Sequence, residues 1–151
     1  MSTINVRIEG DKELVQKLRD FAGGQLDLTR SMGATGLYLT RFFAGEVFAS
    51  RGGVIGKRWP RLNENYAEWK ARRWPGRPPL IRTGLMNRSF KHKSTQLTTS
   101  LWNEAQYFDY HNDGRGVPQR VMMRIDQTRE ARIVKYIASD LTTQMDQQGL
   151  I

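Results

Sequence analysis

The chain has 151 residues, a formal net charge of +9 at neutral pH and no cysteine. This length suits a single domain, residues 1–151, with one core, and the lack of cysteine excludes disulfides and thiolate metal sites. The first residues carry no charged region followed by an apolar run, and no stretch approaches the ~20 apolar residues of a membrane helix. We therefore expect a soluble protein that stays where it is made and has no membrane partner.

The first third of the chain predicts one strand and two helices. Thr3–Ile8 alternates apolar and polar residues, which predicts a strand with one buried face. Leu14–Ala22 carries apolar residues at helical spacing, and a longer helix is predicted from about Leu28 to Ser50. Gly36 and Gly45 inside the longer helix are small enough to allow close packing against a neighbouring element.

The middle of the chain predicts two short helices and a hairpin. Asn63 is a suitable cap for a helix that continues to Ala71, before a proline-rich segment stops it. Thr83 is predicted to cap a helical turn over Leu85–Phe90. Residues 92–95 and 96–103 then resemble a polar hairpin. The inward-facing positions of its second strand are Leu97, Thr99 and Leu101.

The last third predicts an aromatic turn, a strand and a helix. Tyr107–Gly114 reads as an aromatic turn followed by a loop, and Val121–Ile125 alternates as a late strand. Asp126 or Thr128 is expected to cap the final helix. The apolar stripe of this helix is Ile133, Ile137, Leu141 and Met145, which we assign to the core. The predicted fold is α+β, with a small mixed or antiparallel sheet packed against the long helix and the C-terminal helix.

Positive charge and tryptophan concentrate in one part of the chain. Arg51–Lys93 holds twelve Lys or Arg against two acidic residues and three of the four tryptophans, whereas the remainder nets −1. We interpret residues 51–82 as a long basic, aromatic-rich loop that contacts partners. A face that binds protein or is merely solvated is favoured over a nucleic-acid site, because no nucleic-acid-binding motif accompanies the charge. The candidate interface residues are Lys57, Arg58, Trp59, Arg61, Tyr66, Trp69, Arg72, Arg73, Trp74 and Arg77.

Patterns that would indicate catalysis are weak. Gly52–Lys57 resembles a phosphate-binding loop, but Arg58 occupies the position that requires Ser or Thr. Asp109, His111 and Asp113 could be drawn as a metal cluster, although such residues in a turn are usually ordinary polar loop. We therefore expect no enzyme activity, no cofactor and no metal.

The order of several short motifs resembles the virion morphogenesis or tail completion proteins of tailed bacteriophages. These motifs are Gly-x-x-x-Gly-Lys-x-Trp-Pro-x-Leu at Gly52–Leu62, Tyr-Ala-x-Trp-Lys at Tyr66–Lys70, Pro-x-Leu-x-x-Thr-Gly-Leu-x-x-x-Ser at Pro78–Ser89, and an aromatic segment at Tyr107–Gly114. The resemblance covers roughly residues 30–145. In this family the Thr-Gly-Leu turn is usually followed by a pair of β-strands.

The resemblance implies a structural protein of the virion, located at the neck or tail end and present in the host cytoplasm during assembly. It implies a ring of identical subunits, with a hexamer favoured, between the tail tube protein and the head connector or stopper protein. Some arginines would then line a channel through which DNA passes. The alternative is a module that binds nucleic acid without sequence preference through the basic residues 51–93.

Overall fold

The computed structural model describes residues 2–7, 16, 20 and 26–149. The described strands form one antiparallel sheet of three strands: β1 (Thr3–Arg7), β2 (Phe90–Ser94) and β3 (Thr98–Asn103). Their order in the sheet is β1-β3-β2, so β3 lies in the middle. The alternating N-terminal segment thus pairs with the second strand of the hairpin, and Ile4 lies opposite Leu101.

Helices supply the rest of the architecture, and the predicted α+β class is confirmed with a purely antiparallel sheet. The described helices are α1 (Thr29–Ala44), α2 (Glu46–Ala49), α3 (Glu64–Arg73), α4 (Leu85–Arg88), α5 (Phe108–Asp113) and α6 (Gln127–Gln147). A short 3-10 turn occupies Gly53–Ile55. The helix predicted over Leu14–Ala22 lies outside the described residues, except that Gln16 and Asp20 are helical and joined by a side-chain hydrogen bond of 2.9 Å.

Helix α1 packs across β2 and β3, and a glycine sets the distance between them. A Cβ atom on Gly36 would clash with the ring of His92 and would lie 2.8 Å from Oγ1 of Thr99. The predicted long helix is interrupted at Gly45, whose ψ of −78° departs from helical geometry, and α2 continues beyond it. Gly36 therefore serves contact between the helix and the sheet.

The core is built mainly from aromatic side chains of α1, α2 and the sheet. Phe90 lies 5.6 to 6.3 Å, centroid to centroid, from the rings of Phe43, Phe48 and Phe108. Helix α6 packs on α1, and Ile133 of α6 belongs to this core. Further along α6 the predicted stripe continues, half-buried, at Ile137, Leu141 and Met145. Of these, Ile137 and Leu141 pack against a second small cluster of Leu26, Leu28 and Met32.

Two predicted elements near the C-terminal half are wrong. Val121–Ile125 is not a strand, because its backbone groups bond to side chains: the N–H of Met122 donates to Oδ1 of Asn112 at 2.9 Å. Tyr107–Gly114 is not a turn and loop but contains α5, which buries Phe108 and ends at Gly114 with φ of +76°. The helix thus places Phe108 in the core.

The predicted helix caps hold at two positions and fail at one. Asn63 accepts a hydrogen bond from the N–H of Asn65 at 3.0 Å, and Asp126 accepts one from the N–H of Arg129 at 3.0 Å. Thr83 does not occupy the cap position of α4, because that residue is Gly84, with φ of +84°. The Thr83 hydroxyl accepts only a long 3.4 Å bond from the N–H of Leu85. The hairpin begins at Phe90, two residues before the predicted start.

Candidate functional site

Trp59, one of the candidate interface residues, is a core residue. Its side chain is only 6% exposed and packs edge-on against Phe48, with 5.3 Å between ring centroids. The indole N–H donates to the carbonyl of Val121 at 2.8 Å. Residues 51–82 are therefore attached to the body of the protein by a buried tryptophan, and Trp59 is not available as a surface anchor in this structure.

Three other predicted aromatic residues do form a surface group with arginines. Tyr66 and Trp69 on α3 are 41% and 38% exposed, with ring centroids 5.6 Å apart, and Trp74 lies 5.4 Å from Trp69. The guanidinium of Arg73 lies 5.3 Å from the Trp69 ring, and that of Arg82 lies 5.4 Å from the Trp74 ring. We call these five residues the aromatic–arginine cluster.

The sequence around α3 explains how the cluster is held. Asn63 caps the helix, and the basic last turn, with Lys70, Arg72 and Arg73, suits the negative end of the helix dipole. The ammonium of Lys70 donates to the carbonyl of Pro78 at 2.6 Å, which ties the proline-rich segment back to the helix. Trp74 and Arg82 are thereby brought to the same surface as Trp69.

The remaining predicted interface residues stay on the surface but outside this cluster. Lys57, Arg58, Arg61, Arg72 and Arg77 are all exposed. Lys57 and Arg58 follow the 3-10 turn, in a segment distinct from α3. The prediction therefore found the tyrosine, two tryptophans and Arg73 of the cluster, whereas Arg82 was missed because nothing in its local sequence distinguishes it from other surface arginines.

Beside the cluster lies a cavity of about 480 Å³ that we call the cationic pocket. Its wall combines α3, the turn before α4 and the segment Val117–Arg120. Two cations at the pocket are buried: Lys70 is 3% exposed and Arg120 is 5% exposed. Sequence reasoning did not join these residues, because the fifty positions between them leave no local signal.

Electrostatics in the pocket disfavour positive charge. Burial, followed by the neighbouring Arg120 guanidinium, lowers the pKa of Lys70. Burial and then Arg120 also lower the pKa of His111, whose Nδ1 is buried without a hydrogen-bond partner among the described residues. Arg120 Nε and Nη2 donate to the carbonyl of Pro60 at 3.2 and 3.0 Å. These cations are held by carbonyl groups rather than by carboxylates.

The other sequence patterns do not assemble into reactive sites. Asp109 accepts a 2.6 Å hydrogen bond from the N–H of Ser2, and Asp113 pairs with Arg115 at 2.8 Å. In the part of the chain that the structure describes, no three His, Cys, Asp or Glu side chains converge in a way that could hold a metal ion. The loop Gly52–Lys57 contains the 3-10 turn, flanked by Gly52 and Gly56 with positive φ.

Comparison with protein-family models, with curated proteins and with solved structures finds no match to this chain. Within residues 2–7, 16, 20 and 26–149, none of the helices combines the length and apolar character needed to cross a membrane.

Proposed function

We propose that this protein is a structural subunit of a tailed bacteriophage virion that forms a ring at the head–tail joint or at the head-proximal end of the tail. The aromatic–arginine cluster carries the proposal, because exposed tryptophan, tyrosine and arginine are the residues that most often anchor protein interfaces. The ring is hexameric in the favoured form and joins the tail tube protein to a head connector or stopper protein.

The order of elements adds support to the motif resemblance. The Thr-Gly-Leu turn at Thr83–Leu85 leads through α4 into the β2–β3 hairpin, which is the succession that the phage family uses. The left-handed backbone of Gly84 explains why glycine stands in that turn, since other residues rarely adopt it. The motif is therefore a structural device that redirects the chain from the basic segment into the sheet.

Self-association tests the first part of the proposal. Replacing Trp69 and Arg73 together by alanine should weaken assembly by at least about 30-fold, because truncating even one interface anchor costs about 2 kcal/mol or more. Sedimentation velocity measures the oligomer, and circular dichroism checks that the fold is retained. Tyr110→Ala is the matched control, since Tyr110 is an exposed aromatic residue, 54% accessible, on α5. Equal assembly of the double variant and the control would contradict the role of the cluster.

The virion role needs a second measurement. Purified protein mixed with tail tubes should bind at one end of each tube as a ring visible by negative-stain electron microscopy. The double variant should lose this end binding, and Tyr110→Ala should keep it. A protein that remains monomeric at all concentrations and ignores tube ends would refute the proposal.

The second candidate function is binding of single-stranded nucleic acid without sequence preference. It is favoured by the same exposed rings, because bases stack on aromatic side chains flanked by arginine. This function predicts binding to any oligonucleotide, with a logarithm of the binding constant that falls linearly with the logarithm of the salt concentration. Subunit assembly that is unaffected by added oligonucleotide would distinguish the structural role from this one.

A further inference from the structure

The cationic pocket is unusual in the charge of its lining. Four of the residues around it carry a positive charge, namely Arg61, Lys70, Arg82 and Arg120, and no aspartate or glutamate among the described residues lines it. Neither of the two buried cations, Lys70 and Arg120, forms an ion pair with any described residue. Burying unpaired like charges costs free energy, so an occupant of opposite charge would stabilise the pocket.

Hydrogen-bond donors at these cations remain unused. Lys70 donates to one carbonyl, that of Pro78, which leaves two of its three N–H donors free among the described residues. Nε and Nη2 of Arg120 donate to the carbonyls of Pro60 and Arg61. Nη1 of Arg120 makes no hydrogen bond to any described residue. Nδ1 of His111 is buried and has no hydrogen-bond partner among the described residues. Unused donors on buried cations favour an oxygen acceptor that bears negative charge.

Much of the remaining wall is apolar or aromatic, although Asn63 and Thr83 also line it, and this limits what the acceptor is attached to. Leu80, Leu85, Met86 and Val117 line the pocket together with the ring of Tyr107. A cavity of about 480 Å³ is large enough for one or two side chains. A phosphate on a duplex stays solvated and presents no apolar group to such a wall, whereas a glutamate beside a large apolar side chain matches both parts.

We propose that the cationic pocket binds a carboxylate side chain, with an adjacent apolar side chain, on a segment of a partner protein. The carboxylate pairs with Lys70 and Arg120, and the apolar neighbour lies against Leu80, Leu85 and Met86. This binding stands whether or not the aromatic–arginine cluster assembles rings, because the buried cations are distinct from Trp69 and Arg73. Failure of ring assembly and failure of the pocket are therefore measured separately.

His111 makes the proposal testable in solution, because the chain has only two histidines. The probe is the acetylated, amidated peptide Gly-Leu-Glu-Leu-Gly, and the neutral control is the same peptide with glutamine in place of glutamate. Imidazole NMR signals are followed at millimolar peptide. The glutamate peptide should shift the His111 signal saturably and raise the His111 pKa. The glutamine peptide should have a dissociation constant larger by about tenfold or more, since one charged hydrogen bond is lost. His92, on β2, should not move.

Lys70→Met provides the matched variant, because it keeps the aliphatic stem while it removes a buried charge and the bond to the carbonyl of Pro78, and circular dichroism checks that the fold is retained. It should abolish the preference for glutamate, whereas Arg115→Gln, at an exposed arginine elsewhere, should leave the preference intact. Equal binding of the two peptides, no shift of His111, or tighter binding of a thymidine oligonucleotide would overturn the proposal. A dimer that Lys70→Met converts to a monomer would assign the pocket to a second copy of this chain and would also overturn it.

Discussion

Two tryptophans in the same basic segment should respond in opposite ways to the same substitution. Trp59→Ala removes a 6% exposed indole that packs on Phe48 and donates to the carbonyl of Val121. Burial of a large aromatic side chain predicts a loss of about 3–5 kcal/mol in the free energy of unfolding. The carbonyl left without its donor adds about 1–3 kcal/mol if water does not reach it. Trp69→Ala, at a 38% exposed ring without such a bond, should cost under about 1 kcal/mol.

Urea denaturation followed by circular dichroism measures both variants. The expected loss for Trp59→Ala is a large part of the total stability of about 5–15 kcal/mol that a domain of this size has. Trp59→Phe is the milder variant, since it keeps a ring and removes the N–H donor. It should lose about 1–3 kcal/mol. A Trp59→Phe or Trp59→Ala protein as stable as the unmodified chain would refute the assignment of this tryptophan to the core.

Three further predictions concern glycine positions and one histidine. Gly36→Ala should destabilise the protein by about 1–3 kcal/mol, because the added methyl group clashes with the sheet. Gly33→Ala, in the same helix but with open space around it, should stabilise the protein by up to about 1 kcal/mol. Thermal melts compare the two variants. Gly84→Ala should cost about 1–2 kcal/mol because of its positive φ, and Thr83→Ala under about 0.5 kcal/mol, so equal losses in urea titrations would contradict the cap geometry. The pKa of His111 is lowered in the folded state, so the unfolded chain binds more protons than the folded one. The free energy of unfolding should therefore fall as the pH drops below about 6.5. In melts at a series of pH values, His111→Asn should remove the part of this loss that is due to His111.

Local sequence patterns were sufficient to predict those elements whose hydrogen bonds and buried positions depend on residues close together in the chain. The alternation in β1, the caps at Asn63 and Asp126, and the periodic stripe of α6 each lie within a few neighbouring positions. Composition likewise located the basic, aromatic-rich segment. These features depend on backbone periodicity, so an isolated sequence contains the information that specifies them.

Only the tertiary structure separated Trp59 from Trp69. Both occur among arginines in one segment, and their local sequences are alike in polarity. The burial of Trp59 depends on Phe48 and on a carbonyl sixty-two positions away at Val121, and the strand predicted there is replaced by bonds to Asn112. Contacts between distant parts of the chain overrode the local alternation.

The cationic pocket likewise could not be predicted from the sequence alone. Sequence composition determined that positive charge gathers between Arg51 and Lys93, but Arg120 lies outside that range and His111 reads as ordinary polar loop. Packing placed both beside Lys70 and buried Arg120 together with Nδ1 of His111. Charge is a property of the residue type, whereas the desolvation that lowers a pKa is produced only when the folded chain encloses the group.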